Sequence, residues 1–259
     1  MTLDWLAAYA LWISLLLLLL SALTKKSLAA ALGWATFGVF WLSQPGHYLE
    51  TEDYFNVALV LGAALLSFYM ASLVFRKGFS KVGYAWASYA AAVCGIVYFP
   101  FAEIEPLRVG LIGFTAMITA QTLQHFSVPV VMQDWNSMSL NGKSVEIILA
   151  CTAIESIALF AGVILSVQAP LGRRALALAV STLTIYILNI ARNGFVLMAY
   201  GYNWFGADSF NIAHNVVAKA GSVAALLAIS YVVFLLLPEL LAAMDELAAE
   251  IKHPGGEAA

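Results

Sequence analysis

The sequence predicts an all-α polytopic membrane protein: about seven transmembrane helices, an interfacial or re-entrant helix, and a small extracytoplasmic β-hairpin. Three observations predict it. Of 259 residues, 63% are hydrophobic and only 10% charged, a balance suited to lipid rather than water. Apolar runs long enough to span a bilayer recur along the chain. Basic connections alternate with acidic ones at the ends of these runs, the pattern expected when Lys and Arg stay inside.

The elements follow in order. Trp5 to Leu23 is too long for a signal-peptide core, has no basic segment before it, and is followed by Lys25 and Lys26, so it reads as a retained span. Leu28 to Ser43 leads into residues 44–53, a turn-rich acidic connection without Lys or Arg, placed outside. Val57 to Phe75 returns to Arg76, Lys77 and Lys81, and Val82 to Phe101 leads out to Glu103 and Glu105. Leu107 to His125 has the length of a span but carries Arg108, Thr115, Thr119, Gln121 and Gln124. A crossing there would put Arg173 and Arg174 outside, against the charge rule, so an interfacial or re-entrant helix is expected. Between Val128 and Leu149 the apolar flanks surround Asn141-Gly142, a pair that tolerates positive φ and signals a hairpin. Thr152 to Val167, Ala175 to Tyr200 and Val216 to Leu237 complete seven crossings, with the amino terminus outside. After Pro238, Leu240, Leu241, Met244, Leu247 and Ile251 form one stripe of an amphipathic helix along the cytoplasmic interface, and His253 to Ala259 read as disordered. The resulting organisation is a four-span region 1–101, an extracytoplasmic segment 102–149, a three-span region 150–237 and a tail 238–259.

Polar groups inside apolar runs are costly and therefore point to function. In Ala150-Cys151-Thr152-Ala153-Ile154-Glu155-Ser156 a thiol opens a span, and Glu155, four residues on, shares its helical face. Arg192 costs ~2.5–3.5 kcal/mol near a span centre unless acceptors or water receive it. Asn189 and Asn193 lie beside it, with Tyr186 a turn earlier, as a stripe facing the bundle interior. Asn211, Asn215 and Lys219 repeat at i, i+4 and i+8 at the start of the last span, with His214 at the edge of that face. A helical hairpin returns Cys151, Arg192 and His214 to one membrane face. Cys94, in an Ala-rich span without polar neighbours on its face, reads as inert packing.

Such a set suits acyl transfer. A thiolate is the nucleophilic form of cysteine and a nearby cation favours it. An imidazole exchanges protons near neutral pH and can protonate a leaving amine, and an arginine can donate to the oxyanion of an attacked carbonyl. Glu155 is expected to orient Arg192 or His214. Cysteines and histidines fall at no metal-site spacing, so neither metal nor cofactor is expected, and no basic stripe suggests nucleic acid.

The ACTAIES box, Asn189-Ile190-Ala191-Arg192-Asn193, the SFNIAHN segment ending in Asn215, Gly221-Ser222 and Pro238-Glu239-Leu240 together resemble the archaeosortase branch of the exosortase/archaeosortase family of integral-membrane cysteine transpeptidases. The resemblance covers Val145 to Leu240. It implies a catalytic Cys, Arg and third basic residue, carried over to Cys151, Arg192 and His214, with Lys219 competing for the third place. Glu155, Asn189, Asn193, Asn211 and Asn215 are the supporting residues. The resemblance further implies a multi-pass cell-membrane enzyme with its site on the extracytoplasmic face. Its substrates would be surface proteins with a C-terminal sorting signal of short motif, hydrophobic span and basic tail. Transfer of the new carboxyl end to a membrane lipid is implied as well; water as acceptor would make the chain a plain protease. Two other classes compete. A secondary transporter predicts internal repeats and a midplane site, and no repeat relates the two halves. A non-catalytic assembly subunit would tolerate loss of the thiol.

Overall fold

The computed structural model describes residues 2–50, 54–78 and 82–252. Thr51 and the acidic Glu52 and Asp53, Lys81 and the tail His253 to Ala259 lie outside the described residues. Leu-, Ala- and Phe-rich runs form helices here because a span must satisfy every backbone group within itself. These are α1 (Thr2–Thr24), α2 (Ser27–Leu42), α3 (Pro45–Glu50), α4 (Tyr54–Lys77), α5 (Val82–Glu103) and α6 (Glu105–His125). After a sheet come α7 (Ile154–Leu165), α8 (Leu171–Gly201), α9 (Ser209–Asn211), α10 (Lys219–Leu236) and α11 (Pro238–Lys252).

The polytopic α-helical class is as the sequence predicts. Five helical stretches among the described residues are long and apolar enough to cross a membrane: Ala7–Thr24, Asn56–Lys77, Gly83–Glu103, Leu171–Gly201 and Gly206–Leu236. Two further apolar helices expected as spans, Ser27–Leu42 and Ile154–Leu165, are shorter. At 1.5 Å per residue α7 reaches only about 18 Å, well under a bilayer's apolar thickness.

The chain separates into two compact units. The first holds the residues up to Ile96, Gly162–Gln168 and the segment from Glu239. Its core gathers Leu18, Ala30, Trp34, Met70, Val74 and Tyr84, with Leu247 of α11 packed against it. Trp34 Nε1 donates to Ser88 Oγ at 2.9 Å, so two polar groups in that core satisfy each other.

The second unit, Val97–Ala161 with Ala169–Pro238, contains all the candidate site residues. Helix α6 lies in its core through Ile112, Ala116, Ala120 and Leu123. The polarity of α6 is largely internal: Thr115, Thr119 and Thr122 hydroxyls donate to carbonyls one turn back at 2.7–2.9 Å.

Where a hairpin is expected, three antiparallel strands stand in the order β1 (Val131–Asp134), β2 (Ser137–Leu140), β3 (Lys143–Glu146). The Asn141-Gly142 turn is in place, with φ of 53° and 79°, the conformation that a two-residue turn between twisted strands demands. The added strand arises because the chain turns a second time at Trp135-Asn136, where Trp135 N donates to Asp134 Oδ1 at 2.7 Å. Asn136 pins that turn to the end of β3, its Nδ2 donating to Glu146 Oε1 at 2.9 Å and to Ile147 O at 3.2 Å. One face of the sheet, Met138 and Leu140, is buried in the α6 core. Gly201 is required for this packing, since a Cβ there would lie 2.7 Å from the Leu140 side chain.

Candidate active site

Cys151 does not open a helix. It ends a single 3₁₀ turn, Leu149–Cys151, after which Ala153 takes φ of +66° and α7 starts only at Ile154. This corrects the expectation that Cys151 and Glu155 share a helical face, because one left-handed residue between them ends the helical register. An alanine held there costs about 1–2 kcal/mol, which the surrounding contacts must offset. Cys151 itself is buried, within the core that also contains Ile147, Leu140 and Leu197.

The contact that holds this turn comes from α8. Asn189 and Asn193 lie one turn apart on the same helical face. Asn189 Nδ2 donates to the Cys151 main-chain oxygen at 2.7 Å, and Asn193 Nδ2 donates to the same oxygen at 2.9 Å. Two amide donors thus fill both lone pairs of one carbonyl. Asn193 is buried, and its Oδ1 accepts from Arg192 Nη1 at 3.4 Å. The asparagines therefore serve the Cys151 backbone first and the arginine second. The sequence, which shows them only as neighbours of Arg192, suggests the opposite order.

His214 sits in a π-helical segment, Ile212–Ala218, which joins α9 to α10. Wider turns of this type recur at functional sites because they reorient side chains without breaking the helix. The His214 ring stacks on Phe210 at 5.4 Å and 4° between planes. Phe210 in turn meets Tyr200 edge-on at 5.4 Å, and Lys143 Nζ lies 4.6 Å from the Tyr200 ring centre. Lys143 also donates to Tyr200 O at 3.0 Å and to Asn203 Oδ1. No feature of the sequence announces this series from β3 to His214. Nothing in the spacing of Lys143, Tyr200 and Phe210 pairs them, since only the fold brings β3 to the end of α8.

Beside these groups lies a cleft of about 660 Å³ whose lining includes Glu155, Ser156, Asn189, Arg192, Lys219 and Ser222. Most of its wall is apolar, with Ile185, Leu188, Phe195, Val217, Leu226 and Ile229. Ala150 and Ala153, which bracket the Cys151 turn, also line it, whereas Cys151 and His214 do not.

Of the expected set, the fold joins Cys151 to Asn189 and Asn193 and Asn193 to Arg192, and it places Arg192, Lys219 and Glu155 on the lining of one cleft. Among the described residues no hydrogen bond links Cys151 Sγ with Arg192 or His214, and none links Glu155 with either. Asn215 Nδ2 donates to Asn211 Oδ1 at 2.7 Å, so these two exposed residues satisfy each other and do not line the cleft. The Tyr186 hydroxyl, expected on the same stripe as Asn189, has no hydrogen-bond partner among the described residues.

Over residues 3–235 the chain matches the family model described as transmembrane exosortase (Exosortase_EpsH). It is 30% identical over 258 aligned residues to archaeosortase A of Natronomonas pharaonis, an alignment covering 85% of this chain and 81% of that protein. It is 28% identical over 262 residues to archaeosortase A of Haloferax volcanii, covering 86% and 84%. No solved structure matches.

Proposed function

Because the chain belongs to the transmembrane exosortase family, we propose that it is a membrane-embedded cysteine transpeptidase that cleaves the C-terminal sorting signal of surface proteins on the extracytoplasmic face. The observation that carries this reading is the double clasp of Asn189 and Asn193 on the Cys151 carbonyl, with Arg192 hydrogen-bonded to the same Asn193. A buried turn held by two hydrogen bonds fixes a side chain far better than a free helix end, and fixed placement is what a nucleophile needs.

The chemistry follows from the groups. Cys151 Sγ gives its proton to His214 and attacks the scissile carbonyl, and the Arg192 guanidinium donates to the oxyanion that forms. As the tetrahedral species collapses, the C–N bond breaks and His214 gives its proton to the leaving amine. The hydrophobic span of the signal leaves with that amine, and the retained segment stays on sulfur as a thioester. A nucleophilic group of the acceptor then gives its proton to His214 and attacks the thioester, the C–S bond breaks, and that proton passes to sulfur, restoring the thiol. Phe210 supports His214 in this role by fixing the plane of its ring.

The acceptor in this reading is a membrane lipid with a nucleophilic headgroup. The cleft supports it: apolar walls suit an acyl or isoprenoid chain, and Arg192 with Lys219 suits a phosphate at its head. The test is the mass of the product made from a model substrate bearing a C-terminal span. A fragment heavier by one lipid is expected; a fragment ending in a free carboxylate reduces the activity to hydrolysis.

A further inference from the structure

Strand β3 has one partner and one open side. Ile147 N donates to Asn136 O at 2.8 Å, which fixes the phase of the β2–β3 ladder. With Ser137 opposite Glu146 and Ser139 opposite Ser144, the hydrogen-bonded pairs are Met138 with Val145 and Leu140 with Lys143. The N–H and C=O groups of Ser144 and Glu146 therefore point away from β2. Both residues are exposed, and these backbone groups have no hydrogen-bond partner among the described residues. The edge is also directional. It runs from Lys143 to Glu146, and five residues later the same strand of chain reaches Cys151.

An open strand edge is a template for another extended chain. Most edges are blunted by Pro, by a bulge or by a covering element; this one ends at the candidate nucleophile. We propose that the segment of the substrate preceding the scissile bond adds to the sheet as a fourth strand, parallel to β3, on the edge formed by Ser144 and Glu146. The direction follows from the proposed function, on which this inference rests. The hydrophobic span of the signal follows the scissile bond into the bilayer, so the part before that bond must approach Cys151 in the same sense as β3. In a parallel ladder one substrate residue opposite Val145 would give its N–H to Ser144 O and take the Glu146 N–H on its own carbonyl. At 3.2–3.4 Å per residue, and with the 3₁₀ turn shortening the path, the scissile carbonyl lies about three to five residues further on.

Recognition of this kind reads the backbone and leaves side chains to alternate between facing the sheet's two sides. It gives an exposed extended signal a register relative to the thiol without requiring a deep pocket. Energy from such pairing is the same before and during the chemical step, so it lowers KM without changing kcat.

The test measures binding of substrate peptides to the full-length Cys151→Ser protein in lipid nanodiscs, together with turnover by the intact enzyme. Each peptide carries one ester in place of one amide before the scissile bond, which deletes a single N–H and leaves the enzyme unaltered. Weakened binding of about three- to tenfold at alternate positions is expected, the size of one net hydrogen bond. On the enzyme, Ser144→Pro removes one edge N–H that the β2 ladder does not use, whereas Ser144→Ala removes only the hydroxyl that donates to Gln133 Oε1 at 2.6 Å. The proline form is expected to raise KM several-fold at unchanged kcat, and the alanine form, which keeps the N–H, to raise it less. A flat ester series bound by Cys151→Ser, with cleavage by the intact enzyme, overturns edge pairing and leaves the thiol chemistry standing. An alternating series without thiol-dependent cleavage supports edge pairing and overturns the chemistry.

Discussion

Asn193 donates to the main-chain oxygen of Cys151 at 2.9 Å while its own oxygen accepts from Arg192 at 3.4 Å, so one buried amide spans the backbone of the thiol residue and the cation. Asn189 shares the same carbonyl at 2.7 Å. Removing either amide leaves the other, and removing both strands a carbonyl at the turn. A double-mutant cycle of Asn189→Ala and Asn193→Ala is therefore expected to be non-additive in turnover, with the double variant losing more than the product of the single losses. The Asn193 change is expected to cost more alone, about tenfold or above, because it also releases Arg192.

Arg192→Lys keeps the charge and loses the planar fork. If the guanidinium both leans on Asn193 and donates to an oxyanion, one ammonium cannot do both at once. Turnover is expected to fall by at least ~10²-fold, the scale of a lost oxyanion donor, with KM little changed. Near-normal turnover would assign Arg192 to charge or packing alone.

The third group is decided by comparing His214→Gln with Lys219→Gln. His214 is held by the Phe210 stack at the end of a series reaching back to Lys143, whereas Lys219 is an exposed residue of the cleft wall. Loss of the imidazole is expected to abolish the amine-release step, measured with a substrate whose leaving group needs protonation. Loss of Lys219 is expected to weaken lipid use and leave cleavage in place. Phe210→Leu should fall between, about three- to tenfold, by freeing the ring that positions His214.

Much of the architecture is legible in the chain, for physical reasons. A span must be apolar and must close its own hydrogen bonds, so helices α1, α4, α5, α8 and α10 follow from composition alone. Asn141-Gly142 is legible because few residue pairs tolerate two positive φ values in succession. The turn at Trp135-Asn136 is not, since it rests on a hydrogen bond from Asn136 to residues at the far end of β3. The relation of Cys151 to Glu155 is misread for a similar reason. Ala153 takes φ +66° two residues after the carbonyl clasped from α8, and no local preference of alanine announces it. The identity of the candidate site residues is legible from the cost of polar groups in lipid; their mutual contacts depend on the tertiary fold.

That conformation has its own test. Ala153→Gly relieves the left-handed strain and is expected to leave folding intact or raise stability by up to about 1 kcal/mol, while Ala153→Val is expected to destabilise the turn and reduce yield. Thermal unfolding in detergent, followed by the emission of the seven tryptophans, distinguishes the two.

Topology and specificity of the thiol are tested together. Single cysteines placed beside Gly46 and Asn141 are expected to react with an impermeant reagent from outside, and those beside Arg76 and Arg173 only after permeabilisation. Cys94→Ala is expected to leave turnover unchanged. Near Cys94 the space is already closed: a Cβ on Gly162 would fall 2.6 Å from the Ala90 oxygen, so Gly162→Ala is expected to destabilise by about 1–3 kcal/mol.

The central claim is that Cys151 carries the substrate as a thioester, and it is tested most directly by acid-quenching the enzyme during turnover and weighing it intact. The account predicts a covalent adduct equal to the retained substrate segment, located on Cys151, released by hydroxylamine, and absent from Cys151→Ser together with processing. Processing by Cys151→Ser at an unchanged rate, with no adduct on the intact protein, would contradict it.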